Sequence, residues 1–253
     1  IVYITGFAAE ESVYETTDGL IQPTRGKAEA HCETIGCDLH EINRLVEADP
    51  QALVLHLVKN LLLRVEEVTG ADDMRIFLSG GSNFRDSVAT IKPYKGNRPD
   101  RKPLHYNAIR KYMQDVWGAE IVEGMEADDA LGIAQTEDSV ICTIDKDLDM
   151  VPGWHYNYKT EKLYEISEFG GMYNFWRQML TGDSTDNIPG LPGIGKVKAD
   201  KILSGLGTEE DMFWATMCAY ESSVYTKPYE ALCEMGRLLY ILREEKEIWT
   251  PKW

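Results

Sequence analysis

The sequence predicts an α/β fold, a mostly parallel sheet with helices on both faces, followed by a helical region. Two observations carry this. Short β-branched runs alternate with helix-period segments as far as residue 168, and beyond Phe169 the spacing is almost wholly helical. A third, that acids collect where a strand ends, says where a site forms, because parallel α/β sheets gather ligands beyond the strand carboxyl ends.

Taken in order, the apolar run Ile1-Val2-Tyr3-Ile4 reads as a strand entered midway. Residues Asp49 to Val68 have helical apolar spacing, and Arg75 to Leu78 is a short buried strand. Tyr94 to Lys102 is a polar loop or arch punctuated by Gly and Pro. His105 to Val116 is helical, Glu120 to Val122 a strand, and Ala127 to Gln135 helical again. Ser139 to Ile144 is a β-branched strand that delivers Asp145 and Asp147 at its carboxyl end. Helices follow at Met172 to Leu180, Lys196 to Leu203, Glu209 to Tyr220 and Tyr229 to Arg243. This divides the chain into an α/β domain, 1–168, and a helical domain, 169–253.

At 43% hydrophobic and 27% charged residues the chain has a globular composition. Its longest apolar stretch, Leu53 to Val65, is interrupted by His56, Lys59, Asn60 and Arg64, which excludes a membrane span there. No basic segment leads into an apolar core at the start, so a cytoplasmic location is expected. The five cysteines, odd in number and scattered, fit a reducing compartment better than a disulfide framework. His31-Cys32, Cys37 and His40 have the residue types of a zinc site, but the spacing matches no standard finger. The tryptophans, Trp154, Trp176, Trp214, Trp249 and Trp253, read as packing residues. A formal net charge of −16 argues against nucleic acid, yet Lys92, Lys95, Arg98, Arg101 and Lys102 form a basic island with Asp100 as its one acid.

Three acidic clusters carry the chemistry: Glu126 with Asp128 and Asp129, Asp145 with Asp147, and Asp183 with Asp186. Each has a bland reading, as an acidic helix start, a strand-ending turn or a cap. Together they are seven carboxylates that repel at about 1 kcal/mol per close pair in water and more where screening is poor. Divalent cations with a taste for oxygen remove that penalty. The run Gly190-Leu191-Pro192-Gly193-Ile194-Gly195-Lys196 then opens onto a helix. Its amides can meet a phosphate at the helix N-terminus, and Lys196 and Lys198 add charge without base readout.

These residues resemble the 5′-nuclease superfamily: phage 5′→3′ exonucleases, flap endonucleases and the small nuclease domain of bacterial DNA polymerase I. The resemblance rests on Asn83-Phe84-Arg85, Tyr94-Lys95-Gly96-Asn97-Arg98, the three acidic clusters, and a helix-hairpin-helix from Gly190 to Ala199. It implies a PIN-like core with a basic arch near 84–103 and a helix-hairpin-helix at about 185–206. It implies one metal ion on Glu126, Asp128, Asp129 and Asp145, and a second on Asp147, Asp183 and Asp186, as Mg²⁺ or Mn²⁺. Lys95 and Arg98 would contact the scissile phosphate, Tyr94 would stack on a base, and Arg85 would reach phosphate. Gly190, Gly193, Gly195, Lys196 and Lys198 would grip duplex DNA, with K⁺ at the hairpin. A monomer acting on duplex ends or flaps, in phage replication or DNA degradation, is the expected protein.

Two departures fall on one metal site. The family's first-strand Asp would precede Ile1, as in a truncated N-terminus, and Ser79-Gly80-Gly81-Ser82 stands where many members have another Asp. The expectation is therefore an impaired enzyme, with a non-catalytic structure-specific DNA-binding protein as the alternative. A PIN-type ribonuclease is disfavoured by the hairpin.

Overall fold

The computed structural model describes residues 1–98 and 101–253, without the Glu41 side chain, so Asp100 of the basic island lies outside the described residues. In chain order its elements are α1 (Val2–Ala8), β1 (Glu10–Glu15), β2 (Ile21–Gln22), α2 (Arg25–Ile35), β3 (Asn43–Ala48), α3 (Gln51–Thr69), β4 (Phe77–Asn83), α4 (Arg85–Val88) and α5 (Tyr106–Trp117). There follow β5 (Glu120–Gly124), α6 (Ala127–Ala134), β6 (Val140–Cys142), β7 (Gly153–Asn157), β8 (Lys162–Ile166), α7 (Glu168–Thr181), β9 (Gly182–Asp183), β10 (Ile188–Pro189), α8 (Lys196–Leu203), α9 (Glu209–Glu221) and α10 (Pro228–Leu239). They form two compact units: Ile1–Arg64 with Arg101–Gly118, and Val65–Asp100 with Ala119–Trp253. The expected boundary at 168 is not where the chain divides, because Leu148 and Met150 share a core with Phe175, Trp176 and Met179 of α7.

In the first unit β1 is the middle strand of an antiparallel sheet, pairing with β3 from Glu10↔Ala48 to Glu15↔Asn43 and with β2 on its other edge. The opening apolar run is a helix, not a strand. Both the amide and the hydroxyl of Thr5 donate to the Ile1 carbonyl at 3.0 Å, closing a turn, and Val2, Thr5 and Gly6 are buried on one face. Four adjacent apolar residues show no period, so the sequence could not choose. Gly6 is required where α1 crosses the loop before α5, because a Cβ there would lie 2.6 Å from Pro103. Helix α2 ends at Gly36, whose φ of +76° is left-handed and turns Cys37 back to bond with Cys32. That disulfide overturns both the reading of five reduced thiols and the zinc reading, and His31 instead meets Asp18 at 2.8 Å. Val54, Val58 and Leu62 bury one face of α3.

The second unit has two parallel strand pairs. β4 runs beside β5, and β6 beside β7, whose other edge takes β8 antiparallel. Among the described residues no single parallel sheet joins them. Trp176, Met179, Phe213, Leu232 and Met235 build the helical part of the core with Leu148. Of the tryptophans, Trp176 and Trp249 pack inside as expected, whereas Trp154 and Trp214 are 42% and 51% exposed. Helix α10 stops at Leu239, four residues short of the expected end, because the Arg85 guanidinium takes the carbonyls of Leu238 and Tyr240 at 2.8 and 2.7 Å. No described helix is long and apolar enough to cross a membrane.

Candidate active site

The second unit holds all the expected site residues. Strand β6 ends one turn before Asp145, which caps a short 3-10 turn by accepting from the Asp147 amide at 3.0 Å. Asp183 is placed by a tight crossing of backbones: Gly182 has φ +67°, and a Cβ on Gly190 would lie 2.1 Å from the Thr181 carbonyl carbon. Gly190 is thus a packing glycine at the base of this turn, whereas a Cβ on Gly195 would meet nothing within 4 Å and one on Gly193, at φ +74°, only the Lys198 ammonium at 3.9 Å.

Asp147 and Asp183 come together at Lys146, and the ionisation of each bears on the other. Burial, the hydrogen bond to Asp183 and the charge of Asp145 push Asp147 up to about 7. Burial would raise Asp183 as well, but the hydrogen bond from Asp147, the Thr185 amide at 2.7 Å and Lys146 hold it below the usual carboxylate range. Lys146 stands 3.2 Å from Asp147 and 3.5 Å from Asp183. Asp128 is pushed up to about 7 by burial and by the charges of Asp145 and Glu126. Tyr158, which the sequence reading missed, is pushed up to about 12 by burial and then by Asp128 and Asp145.

Asp128 gives a pH test. Its native carboxyl holds its proton up to about pH 7, while the unfolded chain releases it near the ordinary 3.8. The native state therefore binds more protons in that window, and stability falls as pH rises through it, by at most about 1.4 kcal/mol for each pH step of one. Melting of metal-free protein should drop between pH 4 and 7, and Asp128→Asn should flatten that drop and melt higher at pH 8. Parallel curves for both proteins would refute the assignment.

The other two acidic positions are already engaged. Glu126 caps α6 and receives the Lys95 ammonium and the Tyr94 hydroxyl, the latter at 2.9 Å. The same hydroxyl is 2.8 Å from Asp186, and burial followed by Glu126 and Asp186 raises the Tyr94 phenol. Arg98 pairs with Asp186, and its Nε donates to the Thr185 carbonyl at 3.2 Å. Hydrogen bonds to main-chain carbonyls complete a clasp between 93–98 and 183–187: the Lys95 amide donates to Asp186 O at 2.8 Å, the Asn97 side-chain amide to Ser184 O at 2.7 Å, and the Asn187 side-chain amide to Pro93 O at 2.8 Å. Lys95 has φ +53° and Asn187 φ +59°, left-handed conformations that a β-carbon makes costly and that the clasp enforces. The only described helix in 84–98 and 101–103 is the short α4, so the arch is a strapped turn there rather than a helical one.

Arg85 and Asp129 need correction. Arg85 is 1% exposed and forks onto Asp129, itself 0% exposed, at 2.6 and 2.8 Å. Asp129 also accepts from the amides of Glu126 at 3.0 Å and Leu242 at 3.2 Å. Arg85 is not open to a phosphate, and every lone-pair direction of Asp129 that faces these donors is spent. The capping reading of this helix start is the one its geometry supports for Asp129.

Ser79-Gly80-Gly81-Ser82 supplies hydroxyls instead of a carboxylate. Ser79 Oγ accepts from the Ala127 amide at 3.0 Å, and Ser82 with the Gly81 amide holds Glu123, at 3.3 and 3.1 Å. Glu123 lies so close over Gly80 that a Cβ would sit 2.4 Å from its carboxylate. The sequence offered no signal for Glu123, since an exposed acid in a strand is commonplace.

The oxygen donors suit a hard divalent cation, and two features point to Asp147 as one of its holders: its crowding by Asp145 and Asp183, and Gln178, whose amide N–H₂ donates to Asp147 while its buried oxygen has no partner. Yet no three or more His, Cys, Asp or Glu side chains among the described residues are gathered to hold a metal. The chemistry fits; the closed coordination sphere would need side chains to rotate. Gly195 begins α8 without a side-chain cap, Lys196 is exposed beside it, and Lys198 donates to the Gly193 carbonyl at 2.7 Å.

No family model matches the chain. It is 30% identical over 181 residues to DNA polymerase I of Caldicellulosiruptor bescii, an alignment covering 61% of this chain and 21% of that one. It is 28% identical over 185 residues to a 5′-3′ exonuclease of Buchnera aphidicola, covering 63% and 58%. With flap endonuclease Xni of Shewanella oneidensis it shares 28% over 136 residues, covering 47% and 52%. The chain thus spans less than two thirds of the curated relatives it matches. Among solved structures, the T5 D15 protein co-crystallized with metal ions superposes with a TM-score of 0.52 at 18% identity, covering 75% of this chain and 79% of that one, and shows a shared mixed α/β fold. In keeping with the motifs, the homologues of this chain are proteins named DNA polymerase I, 5′-3′ exonuclease and flap endonuclease Xni.

Proposed function

We propose that the protein is a divalent-metal-dependent nuclease that hydrolyses DNA at 5′ ends or flaps without reading sequence. The observation that carries this is the meeting of Asp147 and Asp183 at Lys146, 3.2 and 3.5 Å from them, with Asp128 and Asp145 close by and Lys95 and Arg98 paired with Glu126 and Asp186. Asp128, Asp145, Asp147 and Asp183 would hold Mg²⁺ or Mn²⁺, with Glu126 and Asp186 joining when Lys95 and Arg98 turn to a phosphate. A bound divalent cation supplies an activated water and stabilises the leaving oxygen. The chain's own residues do the rest. Lys95 and Arg98 exchange carboxylate partners for the scissile phosphate, and Tyr94 positions both acids it touches. The exposed turn at Gly193 and Gly195, with Lys196, grips the duplex backbone as the resemblance implies. The relatives' names support the reaction class, and the metal ions co-crystallized with the T5 D15 protein agree with the cofactor class.

The test compares a 5′-flap DNA duplex, a blunt duplex and matched RNA in Mn²⁺. Cleavage of the flap DNA with RNA untouched is expected. RNA cleavage would make it a ribonuclease, and binding without cleavage would favour the non-catalytic alternative. Lys196→Ala should weaken duplex binding and reduce the slope of log K against log salt by about 0.9. An unchanged slope would remove the hairpin from the interface.

A further inference from the structure

Helix α10 holds a carboxylate that the cleavage chemistry leaves unused. Glu234 is 9% exposed and lies one turn before Leu238 on the same face of the helix. One of its oxygens accepts from the amides of Thr90 at 2.8 Å and Ile91 at 2.7 Å, and the other from the Thr90 hydroxyl. Burying a carboxylate is costly unless donors meet its oxygens. Here all three donors come from one irregular, exposed stretch just beyond α4.

What that stretch carries makes the contact more than a loop staple. Only Lys92 and Pro93 separate Ile91 from Tyr94, and the proline ring fixes one of the intervening φ angles. Tyr94 touches Glu126 and Asp186, Lys95 pairs with Glu126, and Arg98 pairs with Asp186. The same helix also sets the beginning of the segment, through the Arg85 guanidinium on the carbonyls of Leu238 and Tyr240. Helix α10 thus grips the segment twice, at Arg85 and at Thr90–Ile91. Between and beyond these grips, Val88, Ala89 and Tyr94 pack against the core that Leu232, Met235 and Leu238 help to build.

We infer that Glu234 is a positioning residue: by fixing the amides of Thr90 and Ile91 it sets where Tyr94, Lys95 and Arg98 meet Glu126 and Asp186. Its part in cleavage rests on the nuclease reading. The anchoring itself does not, and the experiment has an arm for each.

Two substitutions separate position from stability. Glu234→Gln keeps one oxygen for both amides, and the Thr90 hydroxyl can turn to accept from the new N–H₂, so this variant should behave as wild type. Glu234→Ala leaves both amides without that acceptor. Should the alanine chain fail to fold, Glu234→Asp, which withdraws the carboxylate by one methylene, takes its place.

Hydrogen exchange of the metal-free full chain is read at amides that Glu234 does not touch. These are Lys95, which donates to Asp186 O at 2.8 Å, and Arg98, which donates to Lys95 O at 3.0 Å. Glu234→Ala should speed both by at least about tenfold, the scale of one lost hydrogen bond, while α9 exchanges as in wild type. In Mg²⁺ it should cut a saturating 5′-flap duplex about 10- to 100-fold more slowly, the scale of misplacing a reacting group by ~1 Å, with duplex affinity in EDTA unchanged. In a Lys95→Ala background it should cost less than it does alone, because a group it positions is gone.

Unmoved Lys95 and Arg98 amides, exchange that rises equally in α9, a glutamine variant as impaired as the alanine one, or losses that simply add would each overturn the proposal. A wild-type chain that cuts nothing, with the exchange pattern as expected, would sink the nuclease reading and support the anchor.

Discussion

Asp183→Asn is expected to slow cleavage of a flap duplex by more than about 100-fold, beyond the 10- to 100-fold typical of residues that merely support a metal ligand. The substitution is nearly isosteric, and the Asn oxygen can still accept from the Thr185 amide, as Asp183 does at 2.7 Å. The backbone crossing at Gly182 and Gly190 does not depend on charge, so the hairpin and its exposed lysine keep their places. What is lost is the negative charge of Asp183, which the hydrogen bond from Asp147, the Thr185 amide and Lys146 favour over its neutral form. Without it Asp147 has no partner with which to attract a divalent cation. Duplex binding in EDTA should stay within about twofold of wild type if, as proposed, backbone contacts by the hairpin supply it. Full cleavage by the variant would remove Asp183 from the site, and an equal loss of binding and cleavage would contradict the division between grip and chemistry.

The second large effect is on stability. Asp129→Ala leaves the Arg85 guanidinium buried with two carbonyls and no counter-charge, a loss of about 3–5 kcal/mol by analogy with other broken buried pairs. Burial opposes the charge on Arg85, and the hydrogen bonds and charge of Asp129 more than restore it, raising the guanidinium above its ordinary value. At about 2–4 °C per kcal/mol for a chain of this size, melting should fall by roughly 10 °C. Arg85→Met with Asp129→Leu should recover part of that loss, since two apolar groups leave no orphaned charge. The result separates two roles. If Asp129→Ala melts within a degree or two of wild type yet loses divalent-cation binding, Asp129 is a ligand, as the family resemblance implies, and not half of a structural pair.

That pair also shows how far the sequence could be read. Glu126, Asp128 and Asp129 announce themselves as a cluster, but which of them is free depends on Arg85, 44 residues away from Asp129 and indistinguishable by type from a phosphate-binding arginine. The helices with clear period, α5 to α9, lie close to their expected spans. The strand before Asp145 was legible because β-branched residues precede a polar stop, and the start of α8 at Lys196 because Gly193 and Gly195 are spaced for a turn into a helix. The first 48 residues were not: Glu10-Glu11-Ser12-Val13-Tyr14-Glu15 forms a central strand with mostly charged or polar side chains, and its pairing with Asn43–Ala48 is a long-range choice that no local propensity reveals. The disulfide escaped for a similar reason, since only the left-handed turn at Gly36 brings Cys37 back to Cys32.

On the proposed function, a divalent cation held by Asp147 and Asp183 is what cleaves DNA. Single-turnover digestion of a 5′-labelled flap duplex by the wild-type chain, in Mg²⁺ and in EDTA, tests it most directly. A short labelled product released in Mg²⁺ and absent in EDTA is the predicted result. An intact flap in Mg²⁺ and Mn²⁺ alike, from protein that demonstrably binds the duplex, would contradict it.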